Sequence, residues 1–445
     1  MEQLIEKIKE KNAVIGVIGL GYVGLPLALA FAHKFRVIGF DIKEATIRNL
    51  SDGHSHIIDI PDERLNEGIR HNFHPTHNEQ DLKTCDFIII CVPTPLTAEK
   101  DPDLDYIKKT CSTIAALLNH GKFIILESTT YPGTTDEVVV PILEQSGLVA
   151  GSDFGVAYSP ERIDPGNRSY TVETIPKIVG GINPLCTKIC AALYTEVVTN
   201  VITVKDARTA EAVKMVENIF RNVNIALVNE LALIFEKMEI DTWEVIAAAS
   251  TKPYGFMPFL PGPGLGGHCI PLDPFYMSYK AKKFGFIPRF IDTAAEINDF
   301  MKMHVINLAE QGLHRCGRPL FGAQVTIIGL SYKKNIDDTR ESPSIKIIEE
   351  FINLGSRVRV YDPFVRKITT SSGEIASEPT FDSAVWESDC LVFLVDHDQF
   401  RALDLSSIVQ QMRSPVIVDC KNLFTPSDAY VYLGLGKGSP SFSAK

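Results

Sequence analysis

The sequence predicts an α/β protein in which two doubly wound domains are joined by a central piece built on a long helix. Three observations carry this expectation. Short β-rich runs alternate with helical periods at both ends of the chain, a glycine-rich turn follows the first run, and Asp206 to Asp241 contains neither Gly nor Pro. At 445 residues the chain exceeds one ordinary core, since a domain holds roughly 100–200 residues. Hydrophobic residues at 45% and charged residues at 22% place it among globular proteins rather than disordered or fibrous ones.

In order along the chain, Val14–Gly19, Val37–Asp41, Phe87–Val92 and Phe123–Glu127 are short apolar runs separated by longer mixed periods. This alternation predicts a parallel sheet flanked by helices. Gly155–Tyr158 and Lys177–Gly180 extend it toward Thr203. From Asp206 to Asp241 apolar residues recur at helical spacing, Val213, Val216, Phe220, Val223 and Leu227 among them, which predicts one long helix. A second helix is expected from Pro288 toward Gly312, with a Gly/Pro-rich loop between the two. Gln324–Gly329, the helix Ser344–Asn353 and the strand Arg357–Tyr361 open a new α/β unit, and Cys390–Val395 and Val416–Asp419 add two strands. The expected domains are 1–205, 206–317 and 318–435, followed by a Gly/Ser/Lys-rich tail, 436–445, that lacks the apolar content to order itself.

A net charge of −11 argues against a nucleic-acid partner, because phosphate-backbone binding needs clustered Lys and Arg. Nine cysteines without regular spacing fit reduced thiols better than a disulfide framework. Cys186 and Cys190 have no second ligand pair nearby, and no metal site is expected. Ile15 to Ala32 is uncharged and mostly apolar, superficially like a signal or membrane segment. Gly16, Gly19, Gly21, Gly24 and Pro26 interrupt it, and a strand, a turn and a helix use those residues naturally. A cytoplasmic protein without a membrane span is the expectation.

Gly19-Leu20-Gly21-Tyr22-Val23-Gly24 follows the first expected strand and opens a helix, the context a dinucleotide fingerprint requires. Glycines let backbone amides approach a pyrophosphate at the helix N-terminus. Asp41 closes the second expected strand, where its carboxylate suits the adenosine ribose and repels the extra phosphate of NADP. The cofactor expected is NAD, although Lys43 and Arg48 nearby could accommodate a 2′-phosphate. Two later strand ends carry Thr94 and Thr129, which are either ligand contacts or ordinary turn residues.

Lys214 and Asn218 are one helical turn apart on the long helix, either as a solvated pair or as donors to an oxyanion. The loop Gly262-Pro263-Gly264-Leu265-Gly266-Gly267-His268-Cys269-Ile270-Pro271-Leu272-Asp273-Pro274 gains nothing for a core, and its glycines permit close approach of a ligand. Cys269 is a nucleophile, a buried small residue or a zinc ligand beside His268. Beside an NAD site the nucleophile has a specific use. Hydride removal from a primary alcohol gives an aldehyde, and a thiolate must add to it before a second hydride can leave. The resulting thioester needs activated water, and Glu161, after the strand Gly155–Tyr158, is a candidate base, with a surface Glu161–Arg162 pair as the alternative.

Gly19–Gly24, Ser159–Asn167, Lys214 with Asn218, Gly262–Tyr276 and Tyr332–Ser344 together resemble the UDP-glucose and UDP-mannosaminuronate dehydrogenase superfamily over nearly the whole chain. Thr251–Phe259, leading into Gly267-His268-Cys269, most resembles the branch that acts on UDP-N-acetylglucosamine. The resemblance implies two Rossmann-like domains, NAD-binding and UDP-sugar-binding, around a dimerising helix, and an enzyme of polysaccharide biosynthesis that uses two NAD per sugar. It makes Cys269 the nucleophile, Glu161 the water base, Lys214 and Asn218 the oxyanion donors, and Asp273 and Thr129 supports for proton movement. It puts NAD on Gly19, Gly21, Tyr22, Val23, Gly24, Asp41, Thr94, Thr129 and Arg340. The sugar nucleotide falls to Glu161, Arg162, Lys214, Asn218, Phe259, Gly264, Tyr332 and Lys333. No GxGxxG follows Gly329, so the C-terminal unit is expected to bind its nucleotide differently. UDP-N-acetylmannosamine, UDP-N-acetylgalactosamine and UDP-glucose are alternative substrates of the same reaction, and a two-electron hydroxyacid dehydrogenase, which needs no Cys269, and a non-catalytic nucleotide sensor are the other readings.

Overall fold

Eight short strands make the first sheet: β1 (Val14–Ile18), β2 (Arg36–Phe40), β3 (Phe73–Thr76), β4 (Phe87–Ile90), β5 (Phe123–Leu126), β6 (Gly155–Tyr158), β7 (Lys177–Gly181) and β8 (Val201–Thr203). Their spatial order is β3-β2-β1-β4-β5-β6-β7-β8. Strands covered on both faces must be apolar throughout, and every residue of β4, β5 and β6 is buried. One expectation is corrected here. The sheet is parallel from β3 to β6, but β7 pairs antiparallel to β6, with Tyr158 opposite Gly180. The strand order reverses between β1 and β4, the switch point outside which doubly wound sheets bind ligands.

The computed structural model describes residues 1–57, 59–163, 170–267 and 269–438. His268, residues 164–167 of the Ser159–Asn167 motif and the tail beyond 438 lie outside the described residues. The apolar run Ile15–Ala32 resolves into β1, a turn and the helix Gly24–Ala32, whose nine residues are all buried. Among the described residues no helix is long and apolar enough to cross a membrane.

The expected long helix spans Ala207–Lys237. It stops short of Asp241 because Glu239 takes φ 57°, and the Asp241 side chain caps the next helix, Thr242–Ala249, by accepting from the Trp243 and Glu244 amides. The helix expected after Pro288 spans Arg289–Arg315. A further helix, Asp273–Lys283, follows the cysteine loop.

In the C-terminal part, β9 (Gln324–Ile328), β10 (Arg357–Tyr361), the hairpin β11 (Lys367–Thr370) and β12 (Gly373–Ala376), then β13 (Cys390–Phe393), β14 (Val416–Asp419) and β15 (Val431–Gly434) follow one another. Five of them form a parallel sheet in the order β10-β9-β13-β14-β15. The chain divides into two compact units, Met1–Glu217 with Phe275–Phe286, and Asn218–Pro274 with Ile287–Lys445. The long helix belongs to the first unit through Glu217 and to the second from Asn218.

Candidate active site

In the first unit the chain leaves β1 through Gly19 at φ +90°. The Gly19 amide donates to the Phe40 carbonyl at 2.9 Å, and a Cβ on Gly24 would overlap the Gly19 carbonyl. Turn and helix start are therefore pressed together, and only glycine fits. A Cβ at Gly21, by contrast, meets nothing within 4 Å, so the outer side of the turn is open, with Tyr22 and Val23 half-buried beside it. Asp41 accepts from the Leu20 amide at 3.0 Å and the Lys43 amide at 2.9 Å, one on each oxygen. Its remaining lone pairs suit ribose hydroxyls. These residues fit NAD. Arg48 is paired with Glu44 at 3.1 Å.

The two strand-end threonines meet: the Thr94 hydroxyl donates to the Thr129 carbonyl at 2.7 Å. The Tyr276 hydroxyl donates to the Thr94 carbonyl, a contact that sequence reasoning missed. Glu161 is buried, and its carboxylate accepts from the Ile163 amide. Lys214, also buried, donates its Nζ to the Glu161 carbonyl at 2.5 Å. Two of the expected residues are thus brought together, through backbone rather than carboxylate. The Arg162 guanidinium is held by Glu217 at 2.7 Å and by the Pro176 carbonyl at 2.6 Å.

In the second unit the cysteine loop is laced to its helices by asparagines. Asn218 donates to the buried Asp273 carboxylate. Asn222 donates to the Ile270 carbonyl at 3.1 Å, Gly262 donates to Asn229 Oδ1 at 2.9 Å, and Asn229 donates to Asn298 at 2.9 Å. Asn222, Asn229 and Asn298 were not singled out in the sequence. Their signal was three amides on apolar helix faces, where each needs a partner. Cys269 is half-buried, whereas Cys85, Cys111, Cys186, Cys190, Cys390 and Cys420 are buried. Its carbonyl accepts from the Leu272 and Asp273 amides at 3.1 and 2.8 Å, which fixes it in the turn that starts the helix Asp273–Lys283.

Three glycines of this loop lie close against protein. A Cβ on Gly266 would press on Tyr332 Cβ at 2.6 Å and the Glu341 carbonyl at 3.0 Å, and one on Gly267 on the Tyr332 ring at 3.0 Å. Gly264, at φ +126°, lies 3.3 Å by the same measure from the Asn298 carbonyl. They make room for protein: the Gly267 amide donates to the Arg340 carbonyl at 3.0 Å. The loop thus rests on the segment that carries Tyr332 and Lys333, both half-buried. The Arg340 guanidinium pairs with Asp338 at 2.6 Å. Phe259 packs edge-on against Phe220 with centroids 5.8 Å apart. Among the described residues one group could hold a metal, the exposed His33, Glu67 and His71. It includes none of the residues above.

The UDP-glucose/GDP-mannose dehydrogenase family matches the chain in three parts: its NAD binding domain over residues 13–198, its central domain over 208–300 and its UDP binding domain over 326–426. Protein CapL of Staphylococcus aureus is 44% identical over 353 residues, covering 79% of this chain and 82% of its own. The UDP-N-acetyl-D-glucosamine 6-dehydrogenase of Pseudomonas aeruginosa is 38% identical over 400 residues, 89% of this chain and 94% of its own. Among solved structures, the UDP-D-ManNAc dehydrogenase of Pyrococcus horikoshii superposes with a TM-score of 0.90 at 35% identity, covering 96% of this chain and 99% of that one.

Proposed function

Because the chain belongs to the UDP-glucose/GDP-mannose dehydrogenase family and is an NAD-dependent nucleotide-sugar dehydrogenase, we propose that it oxidises C6 of UDP-N-acetylglucosamine to the carboxylate through Cys269. The observation that carries the reading is the Asn218–Asp273 contact beside a half-buried cysteine fixed at a helix start. NAD, when bound, supplies the acceptor for both oxidations. The turn Gly19–Gly24 and Asp41 hold it, while Thr94 and Thr129 line the strand ends beside it.

In this reading the Cys269 thiolate adds to the C6 aldehyde, and the new alkoxide takes hydrogen bonds from Lys214 and Asn218. Each keeps N–H groups beyond those already used, and such donors act on charge only as it develops. Asp273 orients Asn218 and accepts the thiol proton by way of water. Glu161 takes the proton of the water that cleaves the thioester. Lys333 and Tyr332 take the uridine diphosphate, with Gly264, Phe259 and Arg162 around the sugar and Arg340 toward the dinucleotide. For the substrate, the N-acetylglucosamine reading rests on the Thr251–Phe259 and Gly267-His268-Cys269 resemblance and on the P. aeruginosa relative. The N-acetylmannosamine epimer is favoured by the P. horikoshii likeness, and UDP-N-acetylgalactosamine and UDP-glucose complete the panel. Turnover of each sugar decides between them, and two NADH per UDP-N-acetylglucosamine are expected. One NADH per product, or carboxylate formation by Cys269→Ser, sinks the relay.

The protein is also proposed to act as a homodimer in the cytoplasm, making uronates for polysaccharide synthesis. Phe220, Leu227 and Ile234 are exposed on the long helix. At about 100° per residue they fall in one narrow stripe, a face suited to a second copy. Sedimentation of Leu227→Glu as a monomer is the expected result; a wild-type chain that sediments as a monomer rules the dimer out.

A further inference from the structure

The helix that opens at Gly24 carries the dinucleotide turn at one end and a second group of ligand atoms at the other. Its C-terminus, about 13 Å further along the axis, is closed by His33. The helix Asp62–His71 ends beside it and presents Glu67 and His71 one turn apart. Packing beneath the surface draws the two ends together. Gly68 is buried where the helices meet, and a Cβ there would overlap Leu29 Cδ2. Asn72, one residue past the second helix, donates its Nδ2 to the Ala32 carbonyl at 3.5 Å.

The exposed side chains at these ends converge. The His33 and His71 rings lie 5.5 Å apart between centroids, His71 Nε2 is 3.8 Å from Glu67 Oε1, and one ligand atom from each of the three residues falls within 4.8 Å of the other two. A Glu–His pair at helical spacing is ordinary on a surface. A third ligand brought in from another helix is not, and two imidazoles with one carboxylate are a donor set that zinc takes with water in its fourth position. A tetrahedral ion with bonds of about 2.0–2.2 Å holds its ligand atoms roughly 3.4 Å apart, so small turns of exposed side chains close the group while the backbone stays in place. The electrostatics favour the same occupant. Both helices end here, and the negative ends of their dipoles stabilise a cation. Lys34, the adjacent cation, is drawn to Glu196 at 3.5 Å.

We propose that His33, Glu67 and His71 form a binding site for one divalent transition cation of the zinc class, which braces the outer end of the helix that carries the dinucleotide turn. His33 and His71 each give an imidazole nitrogen, Glu67 a carboxylate oxygen, and water the fourth ligand. Zinc suits this set better than magnesium or calcium, which take oxygen ligands. The ion has no part in the oxidation steps. It bridges two helix ends, and because only the folded chain brings the three ligands together, binding stabilises the fold.

The test is a calorimetric titration of the chelator-treated, full-length chain with ZnCl2. One ion is expected at this site, and its affinity falls in His33→Ala and in His71→Ala by at least the roughly 10–100-fold that loss of a ligand's supporting hydrogen bond costs. Glu67→Gln, which keeps the size of the side chain, weakens binding as well. Co2+ as a spectroscopic probe shows no thiolate charge-transfer band, which separates the site from the cysteines. ZnCl2 raises the thermal midpoint of the wild type and not that of the variants, whose unchanged far-UV circular dichroism without metal shows that they fold. Equal affinity in the wild type and in the His33→Ala/His71→Ala double variant puts the zinc elsewhere and overturns the site, as does an absence of binding. Loss in His71→Ala and Glu67→Gln but not in His33→Ala reduces the group to a pair on one helix and overturns the bridge.

Discussion

The two α/β units open with the same turn and finish it differently. Gly19 and Gly329 take φ +90° and +93°. Their amides donate to the carbonyls of Phe40 and Tyr361, each at 2.9 Å. One residue on, Leu20 and Leu330 donate to aspartates that end the neighbouring strands, Asp41 at 3.0 Å and Asp362 at 2.6 Å. There the likeness ends. In the first unit the helix begins at Gly24, directly after the turn, the arrangement that suits a pyrophosphate at a helix N-terminus. In the second, residues 331–342 intervene and the helix begins at Pro343, its start capped by Ser342 accepting from the Ser344 amide.

The aspartates differ in the same sense. Asp41 is half-buried with lone pairs to spare. Asp362 is buried and accepts from four backbone amides and from His397 Nε2 at 3.0 Å. His397 Nδ1 in turn accepts from the Asn335 amide at 2.9 Å, which places the imidazole proton on Nε2. One local grammar thus builds a dinucleotide turn where the carboxylate is left open and a rigid loop anchor where it is consumed. The comparison explains why the C-terminal turn, despite its dinucleotide-like topology, leaves no open carboxylate for a ribose.

The largest effect expected from breaking this comparison is in the second unit. Asp362→Ala strands the His397 N–H and four backbone amides, three of them buried, and each buried donor left unsatisfied costs about 1–3 kcal/mol. A lower urea midpoint with unchanged affinity for NAD is the expected outcome, and an unchanged midpoint refutes the anchor. Its acid limb carries the same information. Burial pushes the Asp362 carboxyl up, but the His397 and backbone hydrogen bonds outweigh it and hold it below the ordinary 3.8. A depressed carboxyl contributes stability that is present above that value and lost as pH falls through the folded pKa. The wild type therefore loses this contribution below about pH 3.8, and the Ala variant has none to lose.

Much of the fold was legible because strands covered on both faces are apolar runs, as in Phe87–Ile90 and Val416–Asp419. β3, Phe-His-Pro-Thr at the sheet edge, carries no such signal. The antiparallel turn into β7 was equally silent, since direction leaves no trace in composition. In the candidate site, Lys214, Asn218 and Asp273 stood out as polar residues in apolar or glycine-rich settings, and Glu161 as a carboxylate just after a strand. The group of His33, Glu67 and His71 did not, because residues at the ends of two separate helices share no periodicity. The Tyr332 contact of the loop glycines was hidden for a related reason: a sequence shows that a close approach is needed, not which group makes it.

The smaller effect is in the first unit, and it sharpens the comparison from the other side. Asp41→Ala frees only the Leu20 and Lys43 amides at a half-exposed site, where water replaces the carboxylate, so stability should barely change. What it removes is the charged acceptor for ribose hydroxyls. Hydrogen bonds to charged groups contribute about 1.5–3 kcal/mol, and NAD should bind roughly 10–100-fold more weakly by calorimetry. NADP should lose less, because the repulsion of its 2′-phosphate goes with the carboxylate while Lys43 remains. UDP-sugar affinity should stay as it was. If NAD and NADP weaken equally, the ribose does not sit on Asp41, and the open carboxylate of the first turn is no more a binding site than the closed one of the second.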